Sequence, residues 1–164
     1  MRDPIITEAS PKAGLKAIRI LCLALVFGAL LFAIVIIVLT LLNGPAMPGE
    51  GQEFKMILMA VVAGIALLCS TQAIRIYKRG ITDIRNSIEP LNNKLNQYRD
   101  LLIKYMALCE GSALFSIIIF FMLGDYLFLI ITGVLLLMML IRLPQKRKMA
   151  SELGLNYQEQ QELE

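Results

Sequence analysis

Residues 20–42, ILCLALVFGALLFAIVIIVLTLL, decide the fold class of this chain, because these 23 residues include no charged side chain. As an α-helix the stretch would be ~34 Å long, enough to cross the hydrocarbon core of a bilayer. A secretory signal peptide has an apolar region of about 7 to 15 residues, so this stretch is too long to be one. No A-x-A cleavage sequence follows it. We therefore predict a transmembrane helix.

Three more apolar stretches follow, at residues 56–74, 105–123 and 126–141. Residues 43–53, NGPAMPGEGQE, contain two prolines and three glycines and cannot continue a helix. Gly124-Asp125 predicts a tight turn, so the third and fourth spans should be antiparallel neighbours. The fourth span would be only ~24 Å long, so we expect it to recruit turn residues and Leu143, or to thin the bilayer locally. The predicted fold is all-α, a single polytopic membrane domain over residues 1–164 with four transmembrane helices.

The distribution of positive charge predicts the orientation of these helices. Of 16 Lys and Arg residues, four precede the first span, seven lie at 75–104 and four follow the fourth span, whereas loop one has only Lys55. Four spans therefore place fifteen of them on one side, which is the cytoplasm by the positive-inside rule. With 57% hydrophobic residues and a mean hydropathy of +0.68, the chain is expected to lie in a membrane, with both termini cytoplasmic.

Residues 75–104 form the predicted cytoplasmic helical link. An apolar stripe at alternating spacings of three and four predicts a helix with one apolar side; its members are Ile81, Ile84, Ile88, Leu91, Leu95, Tyr98 and Leu102. Pro90 cannot lie within a helix interior, so we expect the second helix to end near Ser87 and the next to begin at Pro90. Periodicity leaves open whether the link is an upright hairpin or lies on the membrane surface.

The cytoplasmic tail, residues 142–164, begins with Arg142 and Pro144, which predict a helix stop. A basic collar follows, made of Lys146, Arg147 and Lys148, and we expect these side chains to contact lipid headgroups or a partner. The remainder is expected to be a loose tail. The alternative is that Leu153, Leu155 and Tyr157 dock on a partner.

Glu110 is the only acidic residue inside a predicted span, ~9 Å below the cytoplasmic interface. A charged side chain at the bilayer centre costs about 3 kcal/mol on insertion scales, so compensation is required. The carboxyl group could be protonated, could be hydrogen-bonded by polar residues of span two at similar depth, or could pair with an interfacial arginine. Those residues are Ser70, Thr71 and Gln72, and the arginines are Arg19, Arg75 and Arg142. The other interpretation is that Glu110 binds a transported proton or cation.

The local sequence ALCEGSALF, residues 107–115, resembles the carboxylate helix of rotary-ATPase proteolipid (c) subunits. This resemblance covers about a dozen residues and implies that Glu110 is an ion-binding carboxylate. A broader resemblance links most of the chain to an uncharacterised family of small four-helix bacterial inner-membrane proteins. It implies four helices and a location in a bacterial inner membrane, but no substrate. It rests on the basic link, on residues 110–114, and on an ending formed by Arg142, Pro144, Lys146, Glu152 and Leu153.

The composition argues against an enzyme, because the chain has no histidine and its three cysteines form no CxxC pair. We expect no cofactor, no metal site and no nucleic-acid binding. The leading hypothesis is a structural or interaction subunit that contacts anionic lipid headgroups and a protein partner or a second copy of itself. The candidate contacts in the link are Arg85, Lys94 and Arg99. Proton or cation translocation through Glu110 is the alternative.

Three pairs of small residues could allow close helix packing: Ala24 with Gly28, Ala60 with Gly64, and Ser112 with Ser116.

Overall fold

The computed structural model describes residues 11–155, and these form five α-helices and no strand. The helices are α1 (Pro11–Asn43), α2 (Gln52–Asn86), α3 (Leu91–Leu123), α4 (Leu127–Ile141) and α5 (Lys146–Leu153). Three of them, α1, α2 and α3, are long and apolar enough to cross a membrane, whereas α4 has 15 residues. The protein is therefore helical with three candidate transmembrane helices.

Helix α3 is the central element of the fold, because it packs against α1, α2 and α4. Its buried residues run along its whole length, from Leu91 to Leu123. The outer helices bury less: Phe27 and Leu31 of α1 are 63% and 64% exposed. Large apolar side chains exposed along helices of this length suit a lipid environment, in which they would not contact water.

Helices α2 and α3 remain packed against each other over the predicted link. The predicted break near Pro90 is confirmed, since α2 ends at Asn86 and α3 begins at Leu91. Most of the predicted apolar stripe is buried between the helices, including Ile84 and Tyr98. The assignment of Ile88 to this stripe was wrong. Its side chain is fully exposed, because it lies in the extended segment that reverses the chain, where the helical period no longer applies.

The loop between α1 and α2 closes one end of α3. The backbone N–H groups of Ala46 and Met47 donate to the carbonyls of Phe121 and Met122, at 3.1 and 2.9 Å. These are carbonyls of the last helical turn, which have no partner within the helix. Gly124 ends α3 in the left-handed conformation with φ of 68°, and an added Cβ would come within 3.2 Å of Pro45. The predicted turn after α3 is thus held by loop one.

Of the three small-residue pairs, only Ser112 with Ser116 lies inside the helix bundle. The Ser116 hydroxyl donates to the Phe128 carbonyl of α4 at 2.7 Å. Gly28 and Gly64 have open space where a Cβ would be, so neither forms a close helix contact among the described residues. The small-residue spacings in α1 and α2 therefore bring no other helix close within the described residues. Small size allows approach, but the apolar face of each helix decides which side is buried.

The chain after the basic collar was expected to be a loose tail, and this was wrong for residues 149–155. Helix α5 occupies Lys146–Leu153, and Gly154 follows it in the left-handed conformation with φ of 61°. Met149, Leu153 and Leu155 are buried in the main apolar cluster together with Ile18 and Cys22 of α1. The predicted alternative had Leu153 and Leu155 docking on a partner, but they dock on this chain; Tyr157 lies outside the described residues.

Candidate functional site

Glu110 lies on the partly exposed side of α3. Its neighbour Cys109 is fully buried, whereas Ala107 and Gly111 are exposed and Ile118 is 46% exposed. Ala107 is three residues before Glu110 and Ile118 is eight residues after it, so both lie on the same side of the helix as Glu110. The carboxyl group therefore lies at the edge of the bundle and not in its core.

None of the expected protein partners contacts Glu110. Within residues 11–155 its carboxylate makes no hydrogen bond and no ion pair. Thr71 donates to the Leu68 carbonyl of its own helix at 2.9 Å. Gln72 is exposed and Ser70 is partly exposed. The structure thus does not bring Ser70, Thr71 and Gln72 to Glu110 as hydrogen-bond donors.

The interfacial arginines also fail to pair with Glu110. Arg19 and Arg75 are exposed, and Arg142 contacts a different carboxylate, that of Glu152. Of the three predicted forms of compensation, protonation is the one that requires no protein partner. A carboxyl group in this position can otherwise interact with lipid, with an ion, or with another chain.

The predicted basic contacts have diverse environments. Arg99 is exposed and pairs with its neighbour Asp100 at 3.3 Å, and Lys94 is partly exposed. Arg85 is exposed and lies beside Gly154, whose added Cβ would be 3.1 Å from Arg85 Nε. Lys148 Nζ donates to the Ile141 carbonyl at 3.0 Å and so caps the end of α4. The side chains of Lys146 and Arg147 lie outside the described part of the chain.

A polar cluster formed by side chains of α2, α3 and α5 and by Arg142 at the end of α4 is the best-defined arrangement in the structure, and the sequence did not predict it. Tyr77 donates its hydroxyl to Glu152 Oε2 at 2.6 Å, and Arg142 Nη1 is 3.7 Å from Glu152 Oε1. The Arg142 guanidinium lies 4.8 Å from the Tyr77 ring centroid and 6.0 Å from that of Tyr105. Tyr98 completes the group, 3.5 Å from the Tyr77 hydroxyl. We call these five residues the tyrosine–arginine cluster.

The electrostatics of the cluster favour a bound carboxylate. Burial raises the pKa of Tyr98 to about 12, and it also raises the pKa of Tyr77. Both phenols are therefore neutral at physiological pH, and Tyr77 is the donor to Glu152. A positive guanidinium stacked on tyrosine rings is stabilised by the electron-rich ring faces. Together Tyr77 and Arg142 provide a hydrogen-bond donor and a cation for one carboxylate, an arrangement that is stronger than either interaction alone.

The residues of this cluster are far apart in the sequence. Arg142 and Glu152 are ten residues apart and Tyr77 is far from both in the chain, so no local motif joins them. Tyr77 and Tyr105 lie next to the ends of predicted spans two and three, where aromatic residues are common because the membrane interface favours them. The contact between their rings, with centroids 5.7 Å apart, depends on the antiparallel packing of α2 and α3.

An open cleft of ≈ 440 Å³ lies at the opposite end of the bundle. Its lining includes Glu50, Lys55 and Asp125, and none of the predicted site residues takes part. Among the described residues, no group of three or more His, Cys, Asp or Glu side chains could hold a metal ion. The tyrosine–arginine cluster and Glu110 therefore remain the two candidate sites.

No protein-family model matches the chain, and no curated protein or solved structure is similar to it. The two resemblances stay predictions.

Proposed function

We propose that this protein is a non-enzymatic membrane protein with four transmembrane helices that serves as an interaction subunit at the cytoplasmic face of a bacterial inner membrane. The observation that carries the proposal is the packed continuation of α2 and α3 through residues 75–104. Beyond their apolar stretches these helices still bury Ile84, Leu95 and Tyr98 against each other. Such a pair gives a rigid projection with a polar outer surface, which suits binding to another protein.

The proposed orientation places a ring of positive charge near the cytoplasmic headgroups. Its exposed members are Arg19, Arg75, Lys78, Arg79 and Lys104. Anionic lipids attract such residues by about 1 kcal/mol for each charge near the surface. Lipid contact would hold the base of the α2–α3 pair and leave its tip, with the fully exposed Ile88, available to a partner.

Single cysteines would test the threading in a chain from which Cys22, Cys69 and Cys109 have been removed by alanine substitution. Three exposed positions serve as probes: M47C in loop one, I88C in the link and S151C in α5. With four spans, a membrane-impermeant maleimide should label I88C and S151C from the cytoplasmic face and M47C from the other. Labelling of I88C and M47C from one face would exclude a crossing by α2, and opposite labelling of I88C and S151C would exclude four spans.

The interaction role predicts loss of a co-purifying partner when link charges are removed. The double variant K94S/R99S should reduce its recovery, with K55S as the matched control outside the link. Arg85 should be tested separately, because R85S also alters the contact with Gly154. A protein that purifies alone, with or without these charges, would contradict the proposal.

A second candidate function is proton or cation translocation through Glu110. It is favoured by the absence of any hydrogen bond or ion pair to this carboxylate among residues 11–155. Glu110 lies at the edge of the bundle, so an ion path would form between copies of the chain. E110Q should abolish flux into liposomes, and wild-type liposomes that are tight to protons and sodium would exclude this function.

A further inference from the structure

Helix α4 is short for a helix that crosses a membrane. Its 15 residues, Leu127–Ile141, give a rise of ~22 Å, whereas the hydrocarbon core of a typical bilayer is ~30 Å thick. A tilt reduces the thickness that a helix crosses, so the shortfall of about 8 Å is a lower limit. In the four-span arrangement proposed above, this difference must be accommodated beside α4.

The span is not lengthened beyond Ile141. Leu143 was one of the residues expected to extend it, but Leu143 lies past the helix end, where its N–H donates to the Leu140 carbonyl at 3.2 Å. Its side chain packs against the main apolar cluster, which includes Met149 of α5. Leu143 is therefore directed to protein and adds no lipid-facing length to α4.

Charged side chains mark a polar boundary at the end of α4 that carries Arg142. The Arg142 guanidinium is held 4.8 Å from the Tyr77 ring centroid and 3.7 Å from Glu152 Oε1, so it is not free to extend away from the helix end. Lys78 and Lys104 are exposed, and each directly adjoins in sequence a tyrosine whose ring lies beside Arg142. Since charged groups avoid hydrocarbon, headgroups or water must reach this level.

The opposite end of α4 has a polar boundary as well. The Asp125 carboxylate accepts a hydrogen bond from the Leu127 N–H at 3.0 Å, which keeps it at the first turn of the helix. The open cleft at this end is lined by Leu127 and Asp125 together with Glu50 and Lys55. Charged groups thus lie at both ends of α4, and the lipid beside it has to be as thin as the helix is long.

We propose that the exposed face of α4 is a binding surface for lipids with short acyl chains. The inference rests on the proposed function, because it requires that α4 crosses the membrane. Every exposed side chain of α4 is apolar, which suits acyl chains as the occupant; these side chains are Leu127, Ile130, Val134, Leu137, Leu140 and Ile141. Thinning a bilayer of longer lipids costs free energy that grows with the mismatch. Short-chain lipids reduce that cost, so they should be enriched beside α4.

Helix α1 provides the contrast within the same chain. Its uncharged stretch, residues 20–42, has a rise of ~34 Å, and Leu31 near the middle of that stretch is exposed. No shortening of the lipid is required there. The bilayer should accordingly be thinner beside α4 than beside α1.

Tryptophan quenching by brominated lipid tests the proposal, because the chain has no tryptophan of its own. Full-length V134W reports the lipid at the middle of α4, where Val134 is 54% exposed, and L31W is the matched reporter on α1. Each variant is reconstituted into mixtures of brominated dioleoyl phosphatidylcholine with either dimyristoleoyl or dierucoyl phosphatidylcholine. The extent of quenching gives the relative affinity for the shorter or longer lipid at that helix. We expect V134W to prefer the short lipid to the dioleoyl lipid by about two- to fivefold, and L31W to show no such preference.

I130W is a second reporter on the exposed face of α4, should V134W fail to fold. Equal preferences on the two helices, or a preference for the long lipid on α4, would overturn the proposal. Absence of quenching on α4 would also overturn it, since protein would then cover this face.

The maleimide labelling described above separates such a result from failure of the proposed function. Labelling of I88C and S151C from the same face, combined with equal lipid preferences on α1 and α4, would refute only the lipid site. Labelling of these two positions from opposite faces would refute the four-span threading itself.

Discussion

Glu110 and Glu152 are both partly buried carboxylates of this helical bundle, but they have opposite environments. Glu152 accepts a hydrogen bond from Tyr77 and lies beside Arg142, at a junction of four helices. Glu110 has no such partner among residues 11–155 and lies on the partly exposed side of α3. The first carboxylate has its charge compensated within the chain and contributes to structure. The second must obtain compensation from a proton, an ion, lipid or another chain, which is why it remains a functional candidate.

The largest expected effect comes from removing the aromatic residue on which the compensated site is built. Y77A deletes a side chain that is 3% exposed and that contacts Glu152, Arg142 and Tyr105. Truncation of a buried aromatic residue costs about 3 to 5 kcal/mol, and we expect a loss near the lower limit. Thermal unfolding in micelles measures it. I76A is the control, since Ile76 is 39% exposed; equal losses would mean that the cluster does not stabilise the bundle.

A smaller effect separates the two carboxylates directly. E152Q removes the charge that faces Arg142 but keeps an acceptor for Tyr77, so docking of α5 should weaken by about 1 to 2 kcal/mol. Trypsin cleavage at residues 146–148 should then accelerate by about tenfold.

E110Q is the matched variant, and its cleavage rate should stay within about twofold of the wild type because Glu110 has no partner to lose among the described residues. Acceleration by E110Q equal to that by E152Q would show that the two groups are energetically alike.

The smallest expected effect comes from removing a single hydroxyl group. It tests whether a hydrogen bond between two helices stabilises the bundle more than one within a single helix. S116A removes the hydrogen bond from α3 to the Phe128 carbonyl of α4. Interhelical hydrogen bonds in membrane proteins contribute about 0.6 kcal/mol on average, and we expect a loss of that size. T71A should be closer to neutral, because Thr71 is exposed and bonds to its own helix. Unfolding by denaturant in mixed micelles compares the two; a larger loss from T71A would contradict this assignment.

Much of the fold was predictable, because long apolar stretches must satisfy their backbone hydrogen bonds internally when they lie in lipid. The helices at 11–43, 52–86 and 91–123 contain the predicted spans, and the break at Pro90 follows from the missing N–H of proline. The docked α5 was not predicted. Its eight residues include Met149 and Leu153 among charged neighbours, a pattern that has little meaning until the groove that receives it is known.

For the candidate sites, too, the sequence predicted one part and not the other. Glu110 was identified from sequence because a lone carboxylate stands out in an apolar stretch. Its placement at the edge of α3 was not predictable, since composition does not say which side of a helix its neighbours cover. Tyr77, Arg142 and Glu152 come together only because the end of α4 and helix α5 pack beside α2 at the level of Tyr77. No spacing in the chain encodes that contact.

By itself the sequence determined that the chain is helical and membrane-compatible, because apolar length and proline position act locally along the backbone. Tertiary structure alone decided that α3 is central, that Glu110 has no hydrogen-bond or ion-pair partner within residues 11–155, and that Glu152 enters a cluster of tyrosine and arginine. The physical reason is that backbone hydrogen bonding in a helix depends on residues four apart. Side-chain compensation instead depends on which helix faces meet, and that is a property of the packed bundle.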